Sequence, residues 1–267
     1  MPQVENPYFT IRRARRIRTL DELLALNVER RYYAPGSTEA ITSPTSVYSL
    51  TRETAGLFRG QIENYPLVPK AFRDLRDNDR STSSVVAGLR WFQSTHRFHR
   101  FCERAESQRF EFPASELERM CIAQHFGVPT PLLDWSKSVL AALFFAVRDV
   151  FASEVFEQRL RAYIYHIPDE LLLGDELLKD EELSDLRASR FVRPPLIDRR
   201  IERQRGVFTF HPHPLHRPVK IPADVYLIDA RMILRAIKVM KGIGFTQDYF
   251  FPDYAGIAEA VMSETAL

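Results

Sequence analysis

The chain has 267 residues, of which 45% are hydrophobic and 12% aromatic, so it can bury a sizeable core. Its 37 basic and 35 acidic residues leave a formal charge of +2, which excludes a long-range field that would select nucleic acid or an anionic membrane. The two cysteines, Cys102 and Cys121, are too few for a disulfide framework and predict a cytoplasmic protein. The longest apolar run, residues 139–147, is far below the ~20 residues of a membrane span, so we expect no membrane partner.

The N-terminal part of the chain is locally basic. Its arginines are Arg12, Arg13, Arg15, Arg16 and Arg18. Thr19 and Glu22 follow with the spacing of a capping box, ahead of leucines at helical intervals. We interpret the arginines as a solvated helix face, with a nucleic-acid or partner contact as the alternative. The sequence thus predicts a basic helical segment over residues 1–45 and a domain over residues 46–267.

The rest of the chain mixes strand and helix patterns. Strand-like runs occur at residues 56–61, 161–167, 206–210 and 224–229, and helical periodicity at residues 83–102, 113–127, 138–152 and 230–244. Gly127 is predicted to end the second of these helices, and Asp134 or Ser136 to cap the third. The regular alternation of a doubly wound sheet is missing, so we predict an α+β fold. The acidic, leucine-rich segment around residues 168–190 is predicted to be a helical insertion at the surface.

The first candidate site is the stretch GLFRGQ, in which Arg59 directly follows the strand-like pair Leu57 and Phe58. An unpaired buried charge is very costly, so this cation must reach solvent or meet a partner such as a phosphate. Gln61 and Tyr65 follow and would add polar contacts. The alternative is a structural bridge between the arginine and a glutamate.

The second candidate is a junction between two predicted helices. Gln124 and His125 end the first helix, and Asp134 and Trp135 stand at the mouth of the next. Helix starts offer free N–H donors, so this junction is suited to an anion or a polar ligand. The structural alternatives are a hydrogen-bonded histidine, a capping aspartate and a core tryptophan.

Two more candidates flank the predicted strand GVFTF. Glu202 and Gln204 precede it and would share one face if the strand already begins there. His211, His213 and His216 follow it. Alternate histidines can chelate a divalent ion, but two intervening prolines and the lack of a suitably spaced carboxylate lead us to expect no metal.

Four motifs together resemble the FRG-domain family, named for a Phe-Arg-Gly triplet that stands here as Phe58, Arg59 and Gly60. They are LFRGQ with YPLVPKAFR, QHFGVPTPLLDWSKSVLAALFFA, RIERQRGVFTFHP and GFTQDYFFPDYAGIAEAV, in the family's order and rough spacing. The resemblance covers residues 56–261. It implies a protein of bacteria or their mobile elements.

A more distant resemblance is to ADP-ribosyltransferases of the Arg-Ser-Glu type. It rests on the Arg-Gly pair at Arg59, on ALFFA, and on Glu202-x-Gln204 before GVFTF. The sequence departs from that pattern at PTPLLDWS, where Thr130 and Ser136 partly replace Ser-Thr-Ser, and at Gln204, which replaces a carboxylate. The resemblance implies a single mixed domain with a small split β core surrounded by helices.

The same resemblance implies NAD as the substrate and assigns roles in its cleavage. Arg59 would anchor the diphosphate, and Glu202 would stabilise the oxocarbenium ion that forms when nicotinamide leaves. Gln204 would bond a ribose hydroxyl, and Trp135 or Tyr65 would wall the nicotinamide. The remaining predicted ligand-binding residues are Gln61, Gln124 and Thr130.

His125 and Asp134 would act as an acid/base pair. The predicted function is therefore an NAD- or nucleotide-utilising enzyme of ADP-ribosyltransferase or NAD-glycohydrolase type, serving as a bacterial toxin or phage-defence effector on an unidentified protein or nucleic-acid acceptor. The alternatives are a nucleotide-sensing module without turnover and a His/Asp-dependent hydrolase or nuclease. In each case we expect one pocket to contain Arg59, Gln124, His125, Asp134 and Gln204.

Overall fold

The fold was analysed in a computed structural model, which describes residues 6–27, 56–73, 84–110, 113–152, 161–168, 188–192, 194, 199–213 and 218–263. The side chains of residues 27, 84–94, 149–152 and 263 are outside this description. The predicted domain boundary near residue 45 and most of the predicted acidic insertion, residues 169–187, also lie outside the described residues.

A single seven-stranded sheet forms the centre of the fold. Its strands are β1 (Phe9–Ile17), β2 (Gly56–Gln61), β3 (Leu132–Ser136), β4 (Arg161–Pro168), β5 (Arg190–Val192), β6 (Gly206–Phe210) and β7 (Ile221–Asp229). The strand order is β1-β7-β4-β2-β3-β6-β5, with β1 parallel to β7 and the other neighbours antiparallel. The helices pack around this sheet, and the predicted α+β class is confirmed.

The helices are α1 (Leu20–Leu24), α2 (Lys70–Arg73), α3 (Ser84–Ser107), α4 (Glu116–His125), α5 (Val139–Ala152), α6 (Arg199–Arg203), α7 (Ala230–Gly242), α8 (Gln247–Phe250) and α9 (Tyr254–Ser263). Ser115 is the N-cap of helix α4, and its hydroxyl accepts from the amide of Glu118. It ends before Gly127, whose φ of +81° is in the left-handed region, as the sequence predicted. None of the helices described is both long and apolar enough to cross a lipid bilayer.

The sheet is nearly divided between β2 and β3. Only one residue pair, Phe58 with Ser136, joins these two strands, whereas β2 pairs with β4 over six positions and β3 with β6 over five. The larger part therefore holds β1, β7, β4 and β2, and the smaller part holds β3, β6 and β5. This split leaves room at the sheet surface between the two parts.

Helix α5 packs against both strands that border the split, β2 and β3. Its apolar side chains, including Leu143 and Phe144, join the main core with Phe58 of β2. Gly60 allows this approach because a Cβ there would overlap the carbonyl oxygen of Ala142 in α5. The glycine of the triplet is thus explained by helix-to-strand contact.

The basic N-terminal stretch is a strand, so its interpretation as a helix face was wrong. In β1 only Phe9 and Ile17 are buried, and the residues between them are exposed at an edge of the sheet. Arg12 forms an ion pair with Asp224 of β7 at 3.0 Å. An edge strand with both faces in water tolerates charge at every position, so its charge pattern resembles that of a solvated helix.

The predicted cap of α5 was also wrong. Asp134 lies in the middle of β3, paired with Phe208 of β6, and so is not at a helix start. Ser138 is the cap, because its hydroxyl accepts from the amide of Ala141. Ser136 instead supports Ser138, whose amide donates to the Ser136 hydroxyl at 2.9 Å.

Candidate functional site

A cavity of about 360 Å³ opens where the sheet is split. Six of the ten predicted site residues line it: Arg59, Gln124, His125, Asp134, Trp135 and Gln204. They come from β2, the end of α4, β3, and the turn after α6, so residues up to 145 positions apart meet at one place. We expected one pocket to contain five residues, and all five line this cavity: Arg59, Gln124, His125, Asp134 and Gln204.

Arg59 crosses the split from β2 toward β3. Its Nη1 donates to the carbonyl oxygen of Asp134 at 2.7 Å and lies 3.6 Å from the carboxylate Oδ2. The side chain is only 16% exposed, and its Nε is buried without a hydrogen-bond partner in the described part of the chain. Burial lowers the pKa of this guanidinium, and the nearby Asp134 carboxylate opposes that shift. The arginine therefore has unused hydrogen-bonding capacity in a cavity.

Asp134 presents its carboxylate to the cavity from β3, with 54% of the side chain exposed. The amide Nε2 of Gln124 donates to Oδ2 at 2.9 Å. Gln124 is held in turn by Thr130, whose hydroxyl donates to its Oε1 at 2.7 Å. The hydroxyl of Thr130 also accepts from the amide of Leu132. This relay fixes the orientation of the Gln124 amide, so the carboxylate receives a donor and not a repelling oxygen.

The opposite wall comes from α6 and the residues after it. The backbone carbonyl of Gln204 accepts from the Ser136 hydroxyl at 2.6 Å, and its side-chain Nε2 donates to the carbonyl of Phe250 at 3.0 Å. Arg200, also a cavity residue, places its guanidinium carbon 4.0 Å from the centroid of the Phe251 ring. The C-terminal segment thus holds this wall in place.

Trp135 lines the cavity but is only 3% exposed, so it belongs to the core as well. Its indole Nε1 donates to Thr209, and the Thr209 hydroxyl lies 2.7 Å from Nε2 of His211. Nδ1 of the same ring lies 2.7 Å from the Ser189 hydroxyl. Burial lowers the pKa of His211 to about 3, so the ring is neutral at ordinary pH.

The histidine motif HPHPLH does not form a metal site within the described residues, where no group of three or more His, Cys, Asp or Glu side chains could hold an ion. His211 is fully buried between Tyr8 and Phe9, with ring centroids 4.6 and 5.4 Å away. His216 lies outside the described residues.

Four of the predicted site residues do not line the cavity. Glu202 was expected at a strand start, but it is exposed on α6, a helix that ends before β6 begins at Gly206. Tyr65 is 56% exposed, and its carbonyl accepts from the Gln61 amide at 3.2 Å. Thr130 is buried, and its hydroxyl donates to the Gln124 side chain from outside the cavity lining. These four are Gln61, Tyr65, Thr130 and Glu202.

Sequence reasoning also missed residues that line the cavity: Phe58, Phe145, Arg200, Ile201 and Phe208. The sequence could have indicated Arg200. Reading residues 199–203 as a helix would have put Arg200 and Gln204 on one face, four positions apart. The aromatic lining depends on how α5 and β6 pack, which no local pattern contains.

The cavity therefore combines two guanidiniums, one carboxylate, an imidazole and aromatic walls. The guanidinium of Arg59 is a donor suited to an anion, and the rings offer flat surfaces for a heterocycle. The half-exposed carboxylate is held in place by Gln124 and Arg59, which suits an electrostatic role.

In a comparison with known protein families, residues 54–154 match the family model of the FRG domain. This range holds β2, the helices α2 to α5, and β3, and so includes both strands at the split. No curated protein and no solved structure matches the chain.

Proposed function

We propose that the cavity at the split in the sheet, both of whose bordering strands lie within the residues 54–154 that match the FRG-domain model, binds an anionic nucleotide of the NAD type. We further propose that the protein cleaves the bond between nicotinamide and ribose, as a glycohydrolase or an ADP-ribosyltransferase. In this proposal Arg59 contacts the phosphate, and Asp134 stabilises the positive charge that develops on the ribose as nicotinamide leaves. His125, which also lines the cavity, positions the acceptor.

The observation that carries the proposal is the state of Arg59. A buried guanidinium with an unsatisfied Nε is costly unless a ligand completes its hydrogen bonds. Phosphate and carboxylate oxygens are the acceptors that match its planar fork. The aromatic lining, with Phe58, Phe145 and Phe208, adds an apolar surface for the rest of a nucleotide.

Asp134 takes the role that the resemblance assigned to Glu202. Loss of nicotinamide leaves positive charge on the ribose, and a carboxylate within the cavity stabilises that charge. Asp134 is the carboxylate among the residues that line the cavity, and Glu202 is exposed outside it. The anion contact proposed for backbone amides at a helix start near Asp134 is withdrawn, because Asp134 lies in β3.

A nucleotide sensor without turnover is the second candidate, and the tight fixation of Asp134 favours it. The carboxylate already accepts from Gln124 and lies 3.6 Å from Nη1 of Arg59, so both contacts hold it in one place without a reacting group. A sensor would use the same contacts for binding alone.

Incubation of the purified chain with NAD, followed by chromatographic measurement of released nicotinamide, tests the proposal. Asp134→Asn should reduce release at least about 100-fold, the scale of a lost electrostatic contact at a reacting centre. Glu202→Gln is the matched control, since it removes an exposed carboxylate nearby and should retain the parent rate. Both variants must melt like the parent before rates are compared.

The outcomes separate the candidates. NAD binding by calorimetry without nicotinamide release supports the sensor and ends the enzyme proposal. Full turnover by Asp134→Asn with loss in Glu202→Gln returns the catalytic role to Glu202. Activity that depends on His125 and Asp134 against a phosphodiester, with NAD untouched, would establish the hydrolase or nuclease instead.

We also propose the cellular role that the family's bacterial setting suggests, that of a cytoplasmic toxin or phage-defence effector. Expression of the parent chain should then deplete cellular NAD or modify a macromolecular acceptor. Growth arrest of equal severity with Asp134→Asn would contradict this role.

A further inference from the structure

Strand β1 forms one edge of the sheet, with β7 as its neighbour. None of the other strands that the structure describes pairs with its outer side. Seven consecutive residues of β1, 10–16, are exposed, so both faces of the strand are open to water. An edge strand of this kind presents a row of backbone N–H and C=O groups with which a further strand can pair.

The exposed part of β1 is strongly basic. Four of its seven residues are arginines: Arg12, Arg13, Arg15 and Arg16. In the register with β7, Arg13 and Arg15 share one face of the sheet and Arg16 lies on the other. The open edge therefore has positive charge on both faces.

Three of these arginines are available to a partner. Asp224 of β7 is already occupied by Arg12, which donates to it at 3.0 and 3.2 Å, and the Asp224 side chain is only 6% exposed. Within the part of the chain that the structure describes, no ion pair or hydrogen bond engages the guanidinium of Arg13, Arg15 or Arg16. Neighbouring cations repel one another, and an anionic partner relieves that repulsion.

The charges decide which kind of strand can pair with this edge. Directly opposite residues of neighbouring strands have Cβ atoms about 4.5–5.5 Å apart, where opposite charges stabilise the pair and like charges destabilise it. A second copy of β1 would place arginines beside arginines. A strand with acidic side chains at alternate positions would instead place carboxylates beside Arg13 and Arg15.

The other polyanion with suitable charge is single-stranded nucleic acid. Proteins bind it through a basic groove and aromatic side chains on which the bases stack. Residues 10–16 contain no aromatic side chain, and the rings of Tyr8 and Phe9 just before them are buried. The edge offers charge and open backbone groups without a stacking surface, which favours a peptide.

We propose that β1 is a docking edge for an acidic segment of a partner protein, which adds a strand to the sheet and pairs its carboxylates with Arg13 and Arg15. Strand addition supplies backbone hydrogen bonds for affinity, and the arginines supply the preference for acidic side chains. This interaction goes beyond the proposed nucleotide chemistry and does not depend on it, because the residues that line the cavity lie outside β1.

Fluorescence anisotropy with a labelled nine-residue peptide of alternating glutamate and valine tests the proposal. The parent should bind this peptide at low ionic strength, and a peptide of alternating lysine and valine should not bind. Arg13→Gln combined with Arg15→Gln should weaken binding of the acidic peptide about fivefold or more, the effect of two lost ion pairs at the surface. Arg100→Gln combined with Arg104→Gln is the matched control, because it removes two exposed charges from α3 and should bind like the parent.

Two further measurements separate strand addition from simple charge attraction. The acidic peptide methylated on every backbone nitrogen keeps its carboxylates but loses its N–H donors, so it should bind at least about tenfold more weakly. Hydrogen exchange of the parent should slow at residues 10–16 when the unmodified peptide is bound. Equal melting temperatures of the parent and the variants exclude unfolding as the cause of a loss.

The opposite results overturn the proposal. If the parent fails to bind the acidic peptide, or if the Arg13 and Arg15 double variant binds it like the parent, β1 is not the docking edge. If the methylated peptide binds as well as the unmodified one, charge alone explains the binding and strand addition is refuted. Tighter binding of a ten-nucleotide oligothymidylate, lost in the same double variant, would make the partner a nucleic acid and refute the peptide.

Discussion

Trp135 joins two clusters of polar side chains that differ in how fully their hydrogen bonds are satisfied. Behind the ring, Trp135, Thr209, His211 and Ser189 form a continuous chain of contacts between 2.7 and 2.9 Å. In the cavity, the Nε of Arg59 has no partner within the described part of the chain. A fully satisfied network fixes a core, and an unsatisfied buried donor is unusual enough to need a ligand or another explanation.

The contacts of the satisfied cluster occupy both ring nitrogens of His211. The Thr209 hydroxyl accepts from the indole and lies 2.7 Å from Nε2 of His211. On the other side of the ring, Nδ1 lies 2.7 Å from the Ser189 hydroxyl. A histidine occupied in this way is structural, although its motif alone resembled a metal site. The comparison shows that residue type alone suggests a chemical role. Whether the side chain still has hydrogen-bonding groups without a partner then separates a candidate ligand-binding residue from a structural one.

The largest expected effect is at Gly60, the glycine that allows α5 to pack closely against β2. Gly60→Ala should lower the free energy of unfolding by about 3 kcal/mol or more, because the new Cβ would overlap the Ala142 carbonyl. Gly206→Ala is the matched control. A Cβ there meets its nearest atom at 3.6 Å, and the change should stay within about 1 kcal/mol. Urea unfolding of both variants measures the difference, and equal stabilities would show that the helix can move away from the strand.

The next effect tests the satisfied cluster through pH. Burial lowers the pKa of His211 from 6.5 to about 3, so the unfolded chain takes up a proton that the folded chain resists. Its contribution to stability is present above pH 6.5 and is lost as the pH falls toward 3, by roughly 3 kcal/mol at pH 4. His211→Gln should flatten this part of the stability curve.

Urea unfolding at several pH values checks this effect. Exposed His99→Gln controls for the loss of a histidine elsewhere. If the parent and His211→Gln have parallel curves between pH 6.5 and 4, the ring accepts a proton in the folded state and the cluster is not closed.

A smaller effect is expected from breaking the cluster at its centre. Thr209→Val keeps the shape but leaves the Trp135 indole and the His211 ring without their shared partner, which should cost about 1–3 kcal/mol. Thr10→Val, at an exposed position of β1, should cost less than about 0.5 kcal/mol. A wild-type melting temperature for Thr209→Val would mean that water replaces the hydroxyl.

The smallest effect on stability is expected at the unsatisfied cluster. Arg59→Met removes one bond to the Asp134 carbonyl and also a buried charge whose pKa is lowered by burial, so stability should change by about 1 kcal/mol or less. The same variant should lose about 1.5–3 kcal/mol of affinity for ADP-ribose. Large destabilisation with unchanged affinity would make Arg59 a structural residue.

The sequence predicted most of the elements that have strong local signals. The alternating runs became β2, β4, β6 and β7, and Gly127 ended α4 as expected. These features depend on periodicity and on left-handed backbone geometry, which neighbouring residues control. The α+β class followed from their irregular order.

The failures concern features that tertiary contacts decide. The arginine-rich β1 looked helical because its partner strand is about two hundred positions away. Asp134 looked like a cap, yet the residues of β3 are extended because β6 pairs with them. The convergence of Arg59 with Asp134 was predicted from motif order, but the exposed position of Glu202 and the contact of Arg200 with Phe251 depend on packing that the sequence does not state.

The parallel pairing of β1 with β7 has a consequence for biosynthesis. Arg12 meets Asp224, which is 212 positions later in the chain. Among the strands that the structure describes, β1 pairs with β7, and this partner strand is synthesised long after β1. At about 5–20 residues per second that interval is roughly 10–40 s. During it β1 lacks its partner β7, and we expect its arginines to repel those of other nascent copies and so to disfavour edge-to-edge aggregation. Contacts of such long range also slow folding, so completion of this sheet edge should be a late step.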